Sequence, residues 1–452
     1  MIHKFYLNGL YIVLDVASGT VLTVDEMTFD ILDDYKTLSK TEIAEKWSHK
    51  YEKSDIEECV DEIKALEDDH LLFTEDDYDP SFYQNNNLIK AMCLHVAHDC
   101  NLKCKYCFAS QGDFNGEKLL MPLEMGKKAL DFLVAASGPR VNLEVDFFGG
   151  EPLMNYDVVK ALVAYGRELE KTHHKKFNFT TTTNAVLLDD AKIDWLDDNM
   201  GNIVLSLDGR KEVNDRMRKT VNDKGSFDTI LPAIKKMASR RMSEHKDYYV
   251  RGTYTKYNLD FAEDVKFLAK QGFDSISVEP VVTEPGMPYA ILDEDVETIK
   301  AEYDKLALDY LNRKDDGLDY NFFHFNIDFD GGPCVYKRLS GCGAGRDYIA
   351  VTPEGDIYPC HQFVGNDDFK MGDVFDGIDK PEIRDEFAKA NMLKKEDCST
   401  CWCRYYCGGG CHANAYNFNK TVMEPYHTAC EIERRRVENA IMIHIIEGQK
   451  TE

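Results

Sequence analysis

Three cysteines, Cys100, Cys104 and Cys107, are spaced C-x3-C-x2-C in the run VAHDCNLKCKYCF at 96–108, directly after an apolar stretch that reads as a strand. One tight loop therefore offers three thiolates. Structural zinc is usually closed by four ligands, and ordinary iron–sulfur cubes by four cysteines. A three-cysteine loop suits a four-iron cluster whose last iron is kept for another molecule. The alternative from these residues alone is a zinc loop completed by a distant His or Cys.

The chain has 452 residues and fourteen cysteines, nine of which fall between Cys334 and Cys430. Cys59 and Cys93 stand apart and read as plain buried thiols. The first residues lack the long apolar core of a signal peptide, so a cytoplasmic location is expected. There, clustered cysteines serve as metal ligands rather than disulfides. No long apolar run suggests a membrane span. A net charge of −27 repels phosphate backbones and sets nucleic acid aside in favour of peptides or small molecules.

The elements that must position these residues divide the chain into three. Residues 1–85 form a separate unit, with short strands at 4–7, 10–16 and 21–24 and helices at 25–35, 40–49 and 55–68. Ser39 and Ser54 are the expected N-caps, and 71–73 is a candidate returning wing strand. Three strands plus three helices resemble a winged helix. DNA binding is opposed by charge, because residues 1–80 hold 21 Asp/Glu against 7 Lys and no Arg. The fold recurs as a peptide-recognition element that adds a leader peptide as a strand.

Residues 86–325 read as alternating strands (90–97, 141–148, 176–183, 203–207, 248–254, 275–279) and helices (122–136, 157–171, 190–199, 227–241, 259–270). The fold class is thus α/β, with six parallel strands in an open, partial (β/α)6 TIM-like barrel. Chemistry in such barrels collects at the carboxyl ends of strands. The cysteine loop follows the first strand, Gly149, Gly150 and Glu151 the second, and Thr182, Thr183 and Asn184 the third. Ser206 to Gly209 end the fourth, Arg251 to Thr253 the fifth and Val278 to Pro280 the sixth.

The cysteine loop, with Tyr106 before its last cysteine, resembles the C-x3-C-x-aromatic-C signature of the radical S-adenosylmethionine (SAM) superfamily. The resemblance implies a [4Fe–4S] cluster on Cys100, Cys104 and Cys107 that binds SAM. It implies that Gly149, Gly150 and Glu151 hold the SAM amine, that Ser206 and Arg218 grip its carboxylate, and that Asp208 or Asn184 meets its ribose. The family's His-Asp-x-x-Arg is here Asn214-Asp215-Arg216-Met217-Arg218, which keeps Arg218 and loses the imidazole. The implied chemistry is reductive cleavage of SAM to an adenosyl radical that removes a hydrogen atom.

Downstream, Cys342 is followed by twelve residues, Gly355, four residues and Cys360; then come Cys398-x2-Cys401-x5-Cys407-x3-Cys411 and Cys430. This resembles the seven-cysteine SPASM pattern, placed at 326–452, and implies two auxiliary [4Fe–4S] clusters. By that resemblance Cys398, Cys401, Cys407 and Cys430 hold the second. Cys342, Cys360 and Cys411 hold the first, with Cys334 either its fourth ligand or absent from it; Cys403 is extra. Sulfatase-maturing relatives place an Asp base after the second of these cysteines, where this chain has His361.

The whole arrangement looks most like the maturases of "six cysteines in forty-five residues" peptides. That implies an anaerobe's enzyme linking a cysteine sulfur to a carbon within a Cys-rich precursor bound through its leader. A donor such as ferredoxin or flavodoxin would feed its three clusters. The alternatives are another SPASM maturase, forming a carbon–carbon bond or formylglycine, and a zinc-stabilised peptide-binding adaptor.

Overall fold

The computed structural model describes residues 1–76, 88–329, 339 and 341–449. Cys334 lies outside the described residues.

The first unit is an antiparallel meander of β1 (Ile2–Leu7), β2 (Leu10–Asp15) and β3 (Val21–Val24), followed by α1 (Glu26–Ile31), α2 (Lys40–Trp47) and α3 (Lys53–Asp68). Ser39 caps α2 as expected, in a reciprocal box: its N–H donates to Glu42 Oε2 at 2.8 Å, and its hydroxyl accepts from the Glu42 N–H. Ser54 does not cap α3. The helix begins two residues earlier, Glu52 holds the cap position without a side-chain bond, and the Ser54 hydroxyl turns to Asp55. Residues 71–73 form bends rather than a wing strand, because Leu72 is drawn under the helices. The described unit is therefore a meander with three helices and no wing.

Alternation along the strands buries both faces of this small sheet. Val13 packs with Ile31, Ile43, Ile56 and Ile63 under the unit's own helices. Phe5, Leu7, Ile12, Leu14 and Val16 belong instead to the main core. His3, on the same side, stacks on Trp402 at 3.7 Å and bonds Glu438 at 3.0 Å, while Asp76 takes Arg404 and the Tyr405 hydroxyl. An independent appendage would leave one face wet; this one is built in.

The barrel strands are β4 (Ala91–His98), β6 (Asn142–Gly149), β7 (Lys176–Thr183), β8 (Asn202–Ser206), β9 (Asp247–Tyr254) and β10 (Ser275–Pro280), parallel and in that order. A two-residue β5 (Leu119–Leu120) pairs with the end of β4. Between them run α4 (Leu123–Ala136), α5 (Tyr156–His173), α6 (Asp190–Asn199), α7 (Lys211–Met217), α8 (Phe227–Ser243) and α9 (Phe261–Lys270). This is the mixed α/β fold with a parallel, partial-barrel sheet that the sequence implied.

The sheet does not stop at the barrel. β11 (Asn321–Phe322) extends it beyond β10. On the other side β12 (Tyr348–Val351) pairs parallel to β4, with Tyr348 opposite Ala91. β13 (Asp356–Tyr358), β14 (Gly372–Asp373) and β15 (Gly377–Ile378) then follow antiparallel. The cysteine-rich segment is thus a continuation of the barrel sheet. Helix α10 (Val296–Leu311) packs on the last helix, His427–Gln449, through Arg435 to Asp304 and Lys300 to Glu431.

Because Leu14 is fully buried and faces the main core, Leu14→Ala should cost about 2–5 kcal/mol. Urea unfolding should show the barrel's own transition moving with it. A loss confined to the first unit would contradict the shared core.

Candidate functional site

The cysteine loop leaves β4 and is pinned at its back by the end of α7 and the residues just beyond it. The Lys103 N–H donates to the Lys219 carbonyl at 2.6 Å and the Lys105 N–H to the Met217 carbonyl at 2.8 Å. Against its front lies the end of β6. A Cβ on Gly149 would sit 2.1 Å from the Ala97 carbonyl oxygen, and one on Gly150 2.2 Å from that of Asp99. The two glycines let β6 close on β4, and the Gly150 and Glu151 N–H groups then donate to those same carbonyls at 2.8 and 2.9 Å. Their smallness serves the scaffold as well as any ligand.

Glu151 is almost fully buried. Its carboxylate accepts from the Thr183 hydroxyl (2.8 Å), the Leu153 N–H (3.1 Å) and the Asn184 N–H (2.8 Å), joining β6 to the end of β7. Burial still pushes its carboxyl upward. Asn184 donates through Nδ2 to Asn101 Oδ1 at 2.7 Å and toward Cys100 Sγ at 3.6 Å.

Tyr106, Asp208 and Arg218 form one buried group. The Tyr106 hydroxyl donates to Asp208, 2.7 Å from Oδ2, and accepts from Arg218 Nη1 at 2.9 Å; the Thr253 N–H adds a 3.2 Å bond to Asp208. Burial raises the Asp208 carboxyl while Arg218 opposes it. The Asp208 oxygens, expected at the ribose, accept from Tyr106 and the Thr253 N–H in this structure. Asn214 braces the same wall, accepting from the Asp208 N–H and donating to Ser226. Arg218 Nε is buried without a partner among the described residues, and Arg218 lines the cavity beside Ser206.

That cavity, about 210 Å³, is bounded by the three cysteines, Gly149 to Glu151, Asn184, Ser206 and Arg218 on one side. The other side holds Arg251, Glu279 and His361. The first two are ion-paired; both belong to the runs that the sequence places toward the carboxyl ends of their strands, without an individual role. His361 comes from the cysteine-rich segment. Its Nδ1 meets the Tyr348 hydroxyl at 3.2 Å, and its ring packs on Phe148 and Phe108 at 5.1 and 5.3 Å. Burial pulls its pKa down to about 4, with Arg251 adding to the effect, so the imidazole is neutral. A larger cleft, about 510 Å³, lies between α10 and the last helix, but its charges are paired with one another, as Arg434 is with Glu431 and Arg435 with Glu438. The chemistry-bearing side chains converge on the smaller cavity.

The cysteines fall into sets whose thiols act on one another. Burial raises Cys100 to about 12 and Cys104 to about 11, with Glu151 adding to the first and Arg218 opposing the second. Burial raises Cys360, and Cys342 and Cys411 add to it. Burial raises Cys430 to about 12, with Cys398 and Cys401 adding, and Cys407 is raised by burial, Glu433 and then Cys430. Cys403 is buried at the edge of this last set. Thiols so placed ionise together only around a cationic centre, and the donor set fits iron–sulfur clusters. Among the described residues no three His, Cys, Asp or Glu side chains close on one point as ligands of a single metal ion would. No described helix is long and apolar enough to cross a membrane.

Residues 94–268 match the family model of the radical SAM superfamily, and residues 342–402 match that of the SPASM iron–sulfur cluster-binding domain. The chain therefore carries a radical SAM domain and a SPASM domain. It is 25% identical over 335 residues to a cysteine-type anaerobic sulfatase-maturating enzyme of Clostridium novyi, covering 71% of this chain and 86% of that one. It is 26% identical over 333 residues to the mycofactocin maturase MftC of Mycolicibacterium smegmatis, covering 71% and 78%. Among solved structures, native anSMEcpe with bound AdoMet and Cp18Cys peptide has a TM-score of 0.61 at 20% identity, over 80% of this chain and 99% of that one. Streptococcus suis SuiB bound to precursor peptide SuiA has a TM-score of 0.54 at 18% identity, over 94% and 97%. These likenesses establish the fold.

The glycine contact is directly testable. Gly150→Ala should lower stability by about 1–3 kcal/mol through overpacking and raise the alkylation rate of Cys100 in metal-free protein. An unchanged urea midpoint and unchanged thiol reactivity would rule out the close approach.

Proposed function

We propose that this chain is a radical SAM peptide maturase that joins a cysteine sulfur to a carbon within a ribosomally made, Cys-rich precursor peptide. One observation carries the reading. The three-cysteine loop and His361, the neighbour of Cys360, wall the same cavity. A substrate residue there lies between the SAM side and the first auxiliary cluster, where a carbon–hydrogen bond and a thiolate must be brought together.

In this reading Cys100, Cys104 and Cys107 hold the SAM-binding [4Fe–4S] cluster. SAM, when bound there, supplies hydrogen-atom abstraction by a carbon radical. Gly149, Gly150 and Glu151 hold its amine. Ser206 and the unpartnered Nε of Arg218 take its carboxylate, and Asn184 its ribose; Tyr106 and Asp208 hold Arg218 in place. Cys342, Cys360 and Cys411 carry the first auxiliary cluster, and Cys334 either completes it or leaves an iron for the substrate thiolate. Cys398, Cys401, Cys407 and Cys430 carry the second, and Cys403 stays free. His361 is neutral and suits acceptance of the thiol proton. The rings of Phe108 and Phe148 pack against it.

The leader of the precursor would add as a strand to β3, which among the described residues pairs with β2 alone. Electrons would come from a ferredoxin or flavodoxin in the cytoplasm of an anaerobe. A second reading, formylglycine formation, is favoured by the sulfatase-maturating relatives. The two part at the product. Anaerobic incubation with SAM, dithionite and a Cys-rich precursor peptide should yield a peptide that has lost two hydrogen atoms and one free thiol per link. Loss of the sulfur itself would overturn the thioether reading and support the second.

The metal assignment makes its own prediction. Reconstituted protein should hold about 12 irons per chain, and replacing Cys100, Cys104 and Cys107 by Ala should leave about 8 and abolish SAM cleavage. A stoichiometric zinc content would point to the non-catalytic adaptor.

A further inference from the structure

Lys395 is one of the largest side chains in the molecule with no exposure to solvent. A buried ammonium costs several kcal/mol unless an anion compensates it. No described carboxylate forms an ion pair with Lys395; burial lowers its pKa, and the thiols of Cys398, Cys407, Cys411 and Cys430 oppose that shift. Its Nζ donates to the Gly409 carbonyl at 2.8 Å. Gly409 lies on the short link from Cys407 to Cys411, which passes from one cysteine set to the other. The backbone of Lys395 also starts the turn Glu396–Ser399, with its carbonyl accepting from the Cys398 N–H at 3.1 Å. A protonated thiol offers such a cation little. Thiolates bound to an iron–sulfur cube carry net negative charge and compensate it from both sides.

We propose that Lys395 is the shared counter-ion of the two auxiliary iron–sulfur clusters, raising the reduction potential of both. The inference rests on the assignment of the seven cysteines to two clusters, and is independent of which bond the enzyme makes. The charge lies where it lowers the energy of an added electron on either cluster, and net charge is among the terms that set such potentials. It also explains why a lysine is buried where no carboxylate answers it. As a positioning residue it touches neither substrate nor SAM.

The test uses anaerobically reconstituted full-length protein, with iron counted first. Redox titration followed by EPR should show both auxiliary clusters of Lys395→Met shifted to more negative potential, with the SAM-binding cluster unmoved. Lys395→Arg should stay near the parent. In parallel, the rise in melting temperature on cluster loading should shrink in Lys395→Met and persist in Lys395→Arg. A side chain that merely braces the Gly409 carbonyl would destabilise metal-free and loaded protein equally and leave the potentials alone, which overturns the proposal. Auxiliary clusters lost in Lys395→Met but kept in Lys395→Arg would support it; loss in both would overturn it as a steric requirement. Parent protein with about four irons per chain would remove the auxiliary clusters themselves, and the counter-ion with them.

Discussion

Everything in the molecule is referenced to β4. It pairs in parallel with β6 on one side and with β12 on the other, and seven of its eight residues are buried. The cysteine loop is its direct continuation. The carbonyls of Ala97 and Asp99 meet Gly149 and Gly150 so closely that no side chain could be interposed. That contact sets the distance between the loop and Glu151. The β12 pairing brings His361 and Cys360 over the same opening. A shift of β4 by one residue would turn its side chains to the opposite face and separate the walls of the cavity.

The molecule is strongly acidic overall, yet cations are concentrated within. Arg218 lies beside the Cys104 thiol, Arg434 donates to Cys401 Sγ at 3.6 Å, and Lys395 stands between two cysteine sets. Exposed carboxylates keep the surface negative at little cost, because water solvates them. Inside, where the effective dielectric is lower, a few positive groups dominate the environment of the thiols. Surface and interior thus carry opposite electrostatic tasks, and net charge reports only the first.

The barrel was largely readable from sequence because its signals are local. Strand 176–183 and helix 190–199 fall at their expected bounds, since buried strands alternating with amphipathic helices leave a clear change of period. The cysteines were readable because their spacing is covalent. What escaped is what neighbours decide. Residues 71–73 look like a strand until Leu72 is given helices to pack under. The strands of the cysteine-rich segment run as short as two residues, too short for any period, and the β12–β4 pairing joins positions more than two hundred residues apart. Asp208 looks like a free carboxylate at a strand end until Tyr106 is seen to hold it. Arg251, Glu279 and Lys395 look like ordinary charges in the chain; burial and partners distinguish them.

The doubly covered sheet at the start of the chain bears on biosynthesis. Phe5, Leu7, Ile12 and Leu14 need a core contributed largely by later residues, and His3 finds Glu438 at a separation of 435 positions. Such long-range contacts are the slowest to form. While the ribosome is still translating, the first unit can complete only its helix-covered face. The other face stays open until the last helix has emerged. Trp402, in the loop from Cys398 to Cys407, is covered by His3 only when that sheet docks. The order of assembly is written into which face of that sheet must wait.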